Sequence, residues 1–343
     1  MNSAGRVSFT ARSFRRDAKL KALAMKRDSG NIPTTQSPAP LITDRSNPTF
    51  ASARLIFYDF PLAYNPAKAR IMLVEKGLPY TTVIVNILSS EGVSPAFIRL
   101  NPSASLPVLR DGGKLLTQSK EIVTYLDTVD GSPLGGKSVD RKQVSQWVDL
   151  TAPWDGNLFV QANVPAAAGA LGLFGAFKKE AILSFKARNP QLRSVYDEKV
   201  QAMTQTEAKG SDPRAQEANR AELRSILSKA EATLSKQNFL AGSEYSAADA
   251  LLSVILWRLD NLGQIDQYLS PRTFLSRYWG MIQARPSYNT VFGPSKNPFT
   301  AFSLAGPAVA QVLLQKVTGN RDQILPCGSD EASQLPSWGW EED

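Results

Sequence analysis

Every strand signal in this chain falls between residue 54 and about residue 131, and beyond about residue 139 only helical patterns follow. That order confines the fold to an α/β unit followed by an all-helical one. In the first unit, "LIFYDF" from Leu55 reads as a strand, and Asn65 before Pro66 reads as a helix start, with Asn65 as the capping side chain. Gly77 is a fitting stop for that helix. "YTTVIVNI" is a second strand, rich in β-branched residues, and Ser94-Pro95 opens a second helix. "LPVLR" and "KLLTQ" are short strands joined through Asp111-Gly112-Gly113 as a hairpin, and "EIVTYLDTV" closes the unit as a helix. The order is β-α-β-α-β-β-α.

In the second unit, 139–295, residues 164–177 ("VPAAAGALGLFGAF") are apolar but too short and too broken by glycine to span a bilayer; they read as a buried helix pair. Residues 188–215 are polar and charged and read as an exposed excursion. Asp212-Pro213 opens a helix with Leu223, Ile226, Leu227, Ala230 and Leu234 on one face. Ser246 and Asp249 form a capping-box pattern before "ALLSVILWRL", a helix apolar on most of its circumference and therefore central. A stabilising role, not a catalytic one, is expected of that pair. Residues 296–343 form a C-terminal extension, in which 302–314 read as a peripheral helix rather than a membrane anchor.

The 343 residues contain no histidine, which excludes His bases, His metal ligands and Ser-His or Cys-His nucleophiles. The single cysteine, Cys327, excludes an intrachain disulfide and a paired redox motif. No metal is expected. Residues 1–53 carry nine basic and three acidic side chains, a net +6, whereas the rest carries 30 and 28, a net +2. The folded part is nearly neutral, so nucleic acid is not an expected partner. The basic, Ser-rich segment 1–53 has the composition of a transit peptide for a chloroplast or mitochondrion. A basic tail on a cytoplasmic protein, or an arm that docks on a protein partner, has the same composition.

The strand and helix order, together with "NPSASLPVL", "EIVTYLD", "FLAGSEYSAAD" and "RYWGMIQARPSYNTVFG", resembles the glutathione S-transferases, and in detail the plant and algal tetrachlorohydroquinone dehalogenase-like class. The polar excursion also resembles that of the ganglioside-induced differentiation-associated proteins. The resemblance covers about residues 54–295. It implies a thioredoxin-like α/β domain over 54–131 and a glutathione transferase all-α domain over 139–295, with glutathione as co-substrate and a homodimer as the expected assembly. It further implies a cis peptide between Leu106 and Pro107, which turns the N–H and C=O of Val108 outward to pair with the cysteinyl part of glutathione. Gln118 and Ser119 stand where the family holds the γ-glutamyl end. Gln118 lacks the charge usual there, and Ser105 replaces a lysine frequent before the "LP" pair.

The family's catalytic serine stands seven residues before the arginine matched by Arg70, and here that position is Ala63. Tyr64 and Asn65 are the neighbouring groups able to replace its hydroxyl. Two readings therefore stand: a transferase acting on an apolar electrophile in a pocket lined partly by Trp154, Phe159 and Phe174, residues that read equally well as core, or a catalytically silent scaffold working through its terminal extensions.

Overall fold

The structure, a computed structural model, describes residues 54–318. The expectations placed on 1–53 and on the tail around Cys327 lie outside the described residues.

Strand β1 (Leu55–Asp59) runs into helix α1 (Tyr64–Glu75), which leads to β2 (Thr81–Ile84). A short 3-10 turn and α2 (Pro95–Leu100) precede β3 (Val108–Asp111), β4 (Lys114–Leu116) and α3 (Ser119–Thr128). The sheet order is β2-β1-β3-β4, with β2 parallel to β1 and the other two pairs antiparallel. Gly112 takes a positive φ of 55° in the two-residue turn between Asp111 and Lys114, a conformation glycine adopts without a Cβ penalty. All five residues of β1 are buried, and they divide with period two. Leu55 and Phe57 pack with Ile71, Ile122 and Leu126 from α1 and α3, while Ile56 and Tyr58 pack with Phe97 from α2 on the other face.

The helical part comprises α4 (Arg141–Thr151), α5 (Gly156–Asn163), α6 (Pro165–Arg188), α7 (Arg193–Ser211), α8 (Pro213–Leu234), α9 (Ala247–Asn261), α10 (Ile265–Leu269), α11 (Thr273–Gln283), α12 (Pro286–Lys296) and α13 (Pro298–Thr318). Helix α9 is buried along its length from Ala247 to Leu259. The Asp249 carboxylate accepts from the Ser246 N–H at 3.0 Å and the Ser246 hydroxyl at 2.8 Å, closing the capping box. It also accepts from the Leu240 N–H and the Tyr278 hydroxyl, which ties the preceding loop and α11 to the same helix end. Burial raises this carboxyl to about 6.

Residues 165–188 form one continuous helix instead of a buried pair, and Leu173 in its first half is exposed. The excursion at 188–215 is largely exposed, and most of it is helix α7. Tyr196 is fully buried there and donates to the Val93 carbonyl at 3.2 Å. Phe177, Ile182 and Phe185 of α6 join Tyr196 against Val93, Ile98 and Ala104, forming a second core over the α/β domain. At the other end, α13 exposes Phe299 and Phe302. No helix among the described residues is long and apolar enough to cross a membrane.

Candidate functional site

The turn between β1 and α1 is closed by the Ala63 N–H donating to the Phe60 carbonyl at 2.8 Å. This bend leaves Ala63 extended, at φ −85° and ψ 142°, and starts the helix at Tyr64. Ala63 is thus the N-cap residue and supplies no side-chain cap, which corrects the capping role expected of Asn65. Pro66 falls on the third helical position, where its missing N–H removes no intrahelical bond. The first-turn N–H groups of Tyr64 and Asn65 likewise have no intrahelical acceptor, and they form the positive end of the helix. Arg70, one turn on, clasps Asp59 through two bonds of 2.8 and 2.7 Å and reaches the carbonyls of Phe60, Pro61 and Val291. The turn is therefore fastened to both the sheet and α12.

Tyr64 faces the core between the domains, away from the cleft in which a substituting phenol was expected. Its ring meets Trp154 edge-on, with centroids 5.7 Å apart, and it leaves no room for a side chain at Gly156, where an added Cβ would lie 2.8 Å from the ring. Its hydroxyl is buried with no hydrogen-bond partner. Burial drives its pKa well upward, so the phenol stays protonated. The Lys68 ammonium lies 4.6 Å and the Arg258 guanidinium 5.0 Å from the Tyr64 ring centroid.

Lys68 was not singled out from sequence. It is 2% exposed, yet its ammonium donates to the Ala152 carbonyl at 2.7 Å and to Asn65 Oδ1 at 3.1 Å. Burial lowers its pKa to about 8, with Asp155 opposing and Arg258 reinforcing that shift. An ammonium has no acceptor capacity, so Asn65 must present its oxygen to Lys68 and turn its amide NH2 the other way.

The Leu106–Pro107 peptide is cis. Val108, however, is fully buried and opposite Tyr58 in the β1–β3 ladder. The Gly112 N–H donates to the Arg54 carbonyl, which extends the same register and marks that pair as the hydrogen-bonded type. Alternation along an antiparallel ladder makes Tyr58–Val108 hydrogen-bonded too. The N–H and C=O of Val108 thus serve the sheet, which corrects the outward orientation expected of them. Leu106, on the other side of the cis bond, lies outside β3 and has no ladder partner. Gln118 caps α3 with no side-chain bond to the helix and is exposed; Ser119 follows at the first helical position. The Ser105 hydroxyl is engaged by Ser103 at 2.6 Å, within a loop whose Ser103 and Ala104 carbonyls accept from Lys199 of α7 at 2.7 and 3.0 Å.

Asn65, Lys68 and Ser119 line one cavity of about 410 Å³ between the domains. Its opposite wall carries Asp155, Asn157, Gln161, Thr206 and Lys209. Of the two readings of Trp154, Phe159 and Phe174, the core one holds for both phenylalanines, and the three do not form an apolar pocket. Trp154 lines the cavity only in part, its Nε1 donating to the Asn219 carbonyl; Phe159 is fully buried in the main core, and Phe174 packs on the second core.

A four-stranded thioredoxin-like sheet with a cis-proline loop, backed by a helical domain, defines the class. The family models for the N-terminal and C-terminal domains of glutathione S-transferase match residues 65–129 and 186–286. Glutathione S-transferase TCHQD of Arabidopsis thaliana is 32% identical over 237 residues, 69% of this chain and 88% of that protein. The tetrachloro-p-hydroquinone reductive dehalogenase of Sphingobium chlorophenolicum is 24% identical over 68% of this chain and 93% of its own length. Among solved structures, the β-etherase LigF of Sphingobium aligns with a TM-score of 0.52 at 22% identity, covering 70% of this chain and 99% of that one. The chain belongs to the glutathione S-transferase family, and it is similar to the tetrachlorohydroquinone dehalogenase-like members.

Proposed function

We propose that the protein is a glutathione-dependent transferase whose thiolate is held without a side-chain hydroxyl. Glutathione lies across the cis-proline loop with its cysteinyl backbone against Leu106. Its γ-glutamyl carboxylate meets the Ser119 hydroxyl and the positive end of α3, and Gln118 accepts from its ammonium. The sulfur lies at the start of α1, where the free N–H groups and the outward-turned amide of Asn65 donate to it. The observation that carries this reading is the joint placement of Asn65, Lys68 and Ser119 on one interdomain cavity.

Without help a thiol near 8.5 is mostly protonated at neutral pH. The helix terminus contributes about 0.3–1 kcal/mol to its ionisation. An amide donor to a charged acceptor adds about 1.5–3 kcal/mol, roughly one to two pKa units. Lys68 acts here as a positioning residue, since it fixes which end of the Asn65 amide faces the ligand. The test is thermal stabilisation by glutathione and conjugation turnover for the wild type and Asn65→Ala. Stabilisation at millimolar glutathione and slower turnover in the variant are expected. The absence of any glutathione-dependent shift in the wild type would overturn the reading and leave the scaffold role.

A further inference from the structure

The cavity between the domains has the wrong chemistry for an apolar electrophile. Ligand chambers are ordinarily lined mainly by hydrophobic groups, yet beside Ala152, Pro153, Trp154 and Leu158 the lining here carries, in addition to Asn65, Lys68 and Ser119, two amides, a hydroxyl, an ammonium and a carboxylate. The first three groups are Asn157 and Gln161 of α5 and Thr206 of α7; the charged pair is Lys209 with Asp155, 3.4 Å apart. Helix α7 reaches this wall because Gly210 packs directly on Gln161, where an added Cβ would lie 1.8 Å from the side-chain oxygen.

The charge around the chamber leans positive: Lys68, Arg258 and Lys209 are set against Asp155 and, near Lys209 but outside the lining, Glu222. Among the described residues, Lys68 has no carboxylate in salt-bridge contact; its two acceptors are a carbonyl and an amide. Behind Tyr64 stands Arg258, also buried, with its Nε unpartnered. Against these, Asp155 is the one carboxylate on the cavity wall, and it is already engaged by Lys209 and by the Asn157 and Leu158 N–H groups. Buried cations that are not directly paired are costly unless an anion completes them.

We infer that this chamber receives the second substrate and that the substrate is a small electrophile bearing a carboxylate, which Lys209 and the Asn157 and Gln161 amides hold while Lys68 supplies positive potential from the opposite wall. The inference rests on the transferase reading for its chemistry. In a substitution, the glutathione sulfur's electron pair forms the new C–S bond, the bond from that carbon to the leaving group breaks, and the leaving group departs as an anion with its pair. The carboxylate is not consumed.

The experiment uses the full chain and an unreactive matched pair, 3,5-dinitrobenzoate and neutral 3,5-dinitrobenzamide, each titrated by calorimetry with and without glutathione. Wild type is expected to bind the benzoate at least tenfold more tightly than the benzamide. That ratio is expected to fall by about tenfold in Lys209→Glu; the exposed side chain leaves the fold intact, which a melting curve checks. Equal or weaker binding of the benzoate by the wild type, absence of binding by both probes, or an unchanged ratio in Lys209→Glu would overturn the inference. Glutathione binding without preference for the benzoate sinks this inference and spares the transferase reading. Benzoate preference without glutathione binding overturns the transferase reading and, with it, the role of second substrate, leaving a carboxylate site alone.

Discussion

The side-chain oxygen of Asn65 accepts from the Lys68 ammonium at 3.1 Å, the two residues standing one helical turn apart on α1. Ala63 cannot donate to a thiolate, but the geometry leaves an amide NH2 two residues further on with nothing else to do. Replacing that arrangement by the ordinary one gives the first prediction. Ala63→Ser is expected to lower the pKa of bound glutathione by roughly one to two units, read as thiolate absorbance near 240 nm across a pH titration. An unchanged titration would mean that the sulfur does not lie at the α1 terminus.

Lys68 should trade stability for function. Its pKa falls from 10.5 to about 8 on burial, so the unfolded chain holds the proton more tightly than the folded one. Folding stability contributed by this group therefore rises as pH climbs from about 8 to 10.5, and the full cost is felt below about 8. Lys68→Met is expected to raise stability at pH 7 by about 1–2 kcal/mol, part of the gain being offset by the donor lost to the Ala152 carbonyl. The same variant should raise the pKa of the bound thiol. Denaturant melts at pH 7 and pH 10 check the first half: the advantage of the variant should shrink at the higher pH.

Tyr64→Phe separates a buried ring from a catalytic phenol. The hydroxyl has no partner, so its removal should leave turnover unchanged and stability equal or higher by up to about 1 kcal/mol. A large loss of kcat with intact glutathione binding would restore Tyr64 to the chemistry.

Gly156→Ala tests the packing behind that ring. A methyl group 2.8 Å from Tyr64 should cost about 1–3 kcal/mol. The double variant Gly156→Ala, Tyr64→Leu should recover part of it, giving a coupling measurable by a thermal double-mutant cycle.

Asp249→Ala removes the acceptor for four donors at the buried start of α9, and should cost at least about 3 kcal/mol. Ser246→Ala should cost about 1–2 kcal/mol. Chemical denaturation midpoints decide both, and neither variant should alter the thiol pKa.

The α/β order and the capping box at Ser246 were legible because each is a local signal, strand periodicity and a spacing of three, whereas the cis bond before Pro107 was an expectation carried by the family resemblance alone. Helix α7 was missed for a physical reason. Tyr196, Val200 and Met203 sit at i, i+4 and i+7, but they make a seam one residue wide in an otherwise charged stretch, and only the partner surface at Val93 and Ile98 makes that seam worth burying. Asn65 misled because a capping residue before proline is a strong pattern, yet the bond from Ala63 to Phe60 moved the helix start two residues earlier. Lys68 was invisible because a lysine on a helix is ordinarily solvated, and its burial depends on a carbonyl 84 positions away. The polar chamber was beyond reach for a similar cause: its wall assembles from α5 and α7, whose docking no local pattern encodes.

The second core has a practical consequence for anyone wishing to study the glutathione-site half alone. A fragment ending near residue 131 would lose Phe177, Ile182, Phe185 and Tyr196 from over Val93 and Ile98, and with them the Lys199 tether on the loop that presents the cis-proline. Such a piece would bare an oily face and slacken the loop before Pro107, so the α/β half is expected to be poorly soluble when produced without its helical partner.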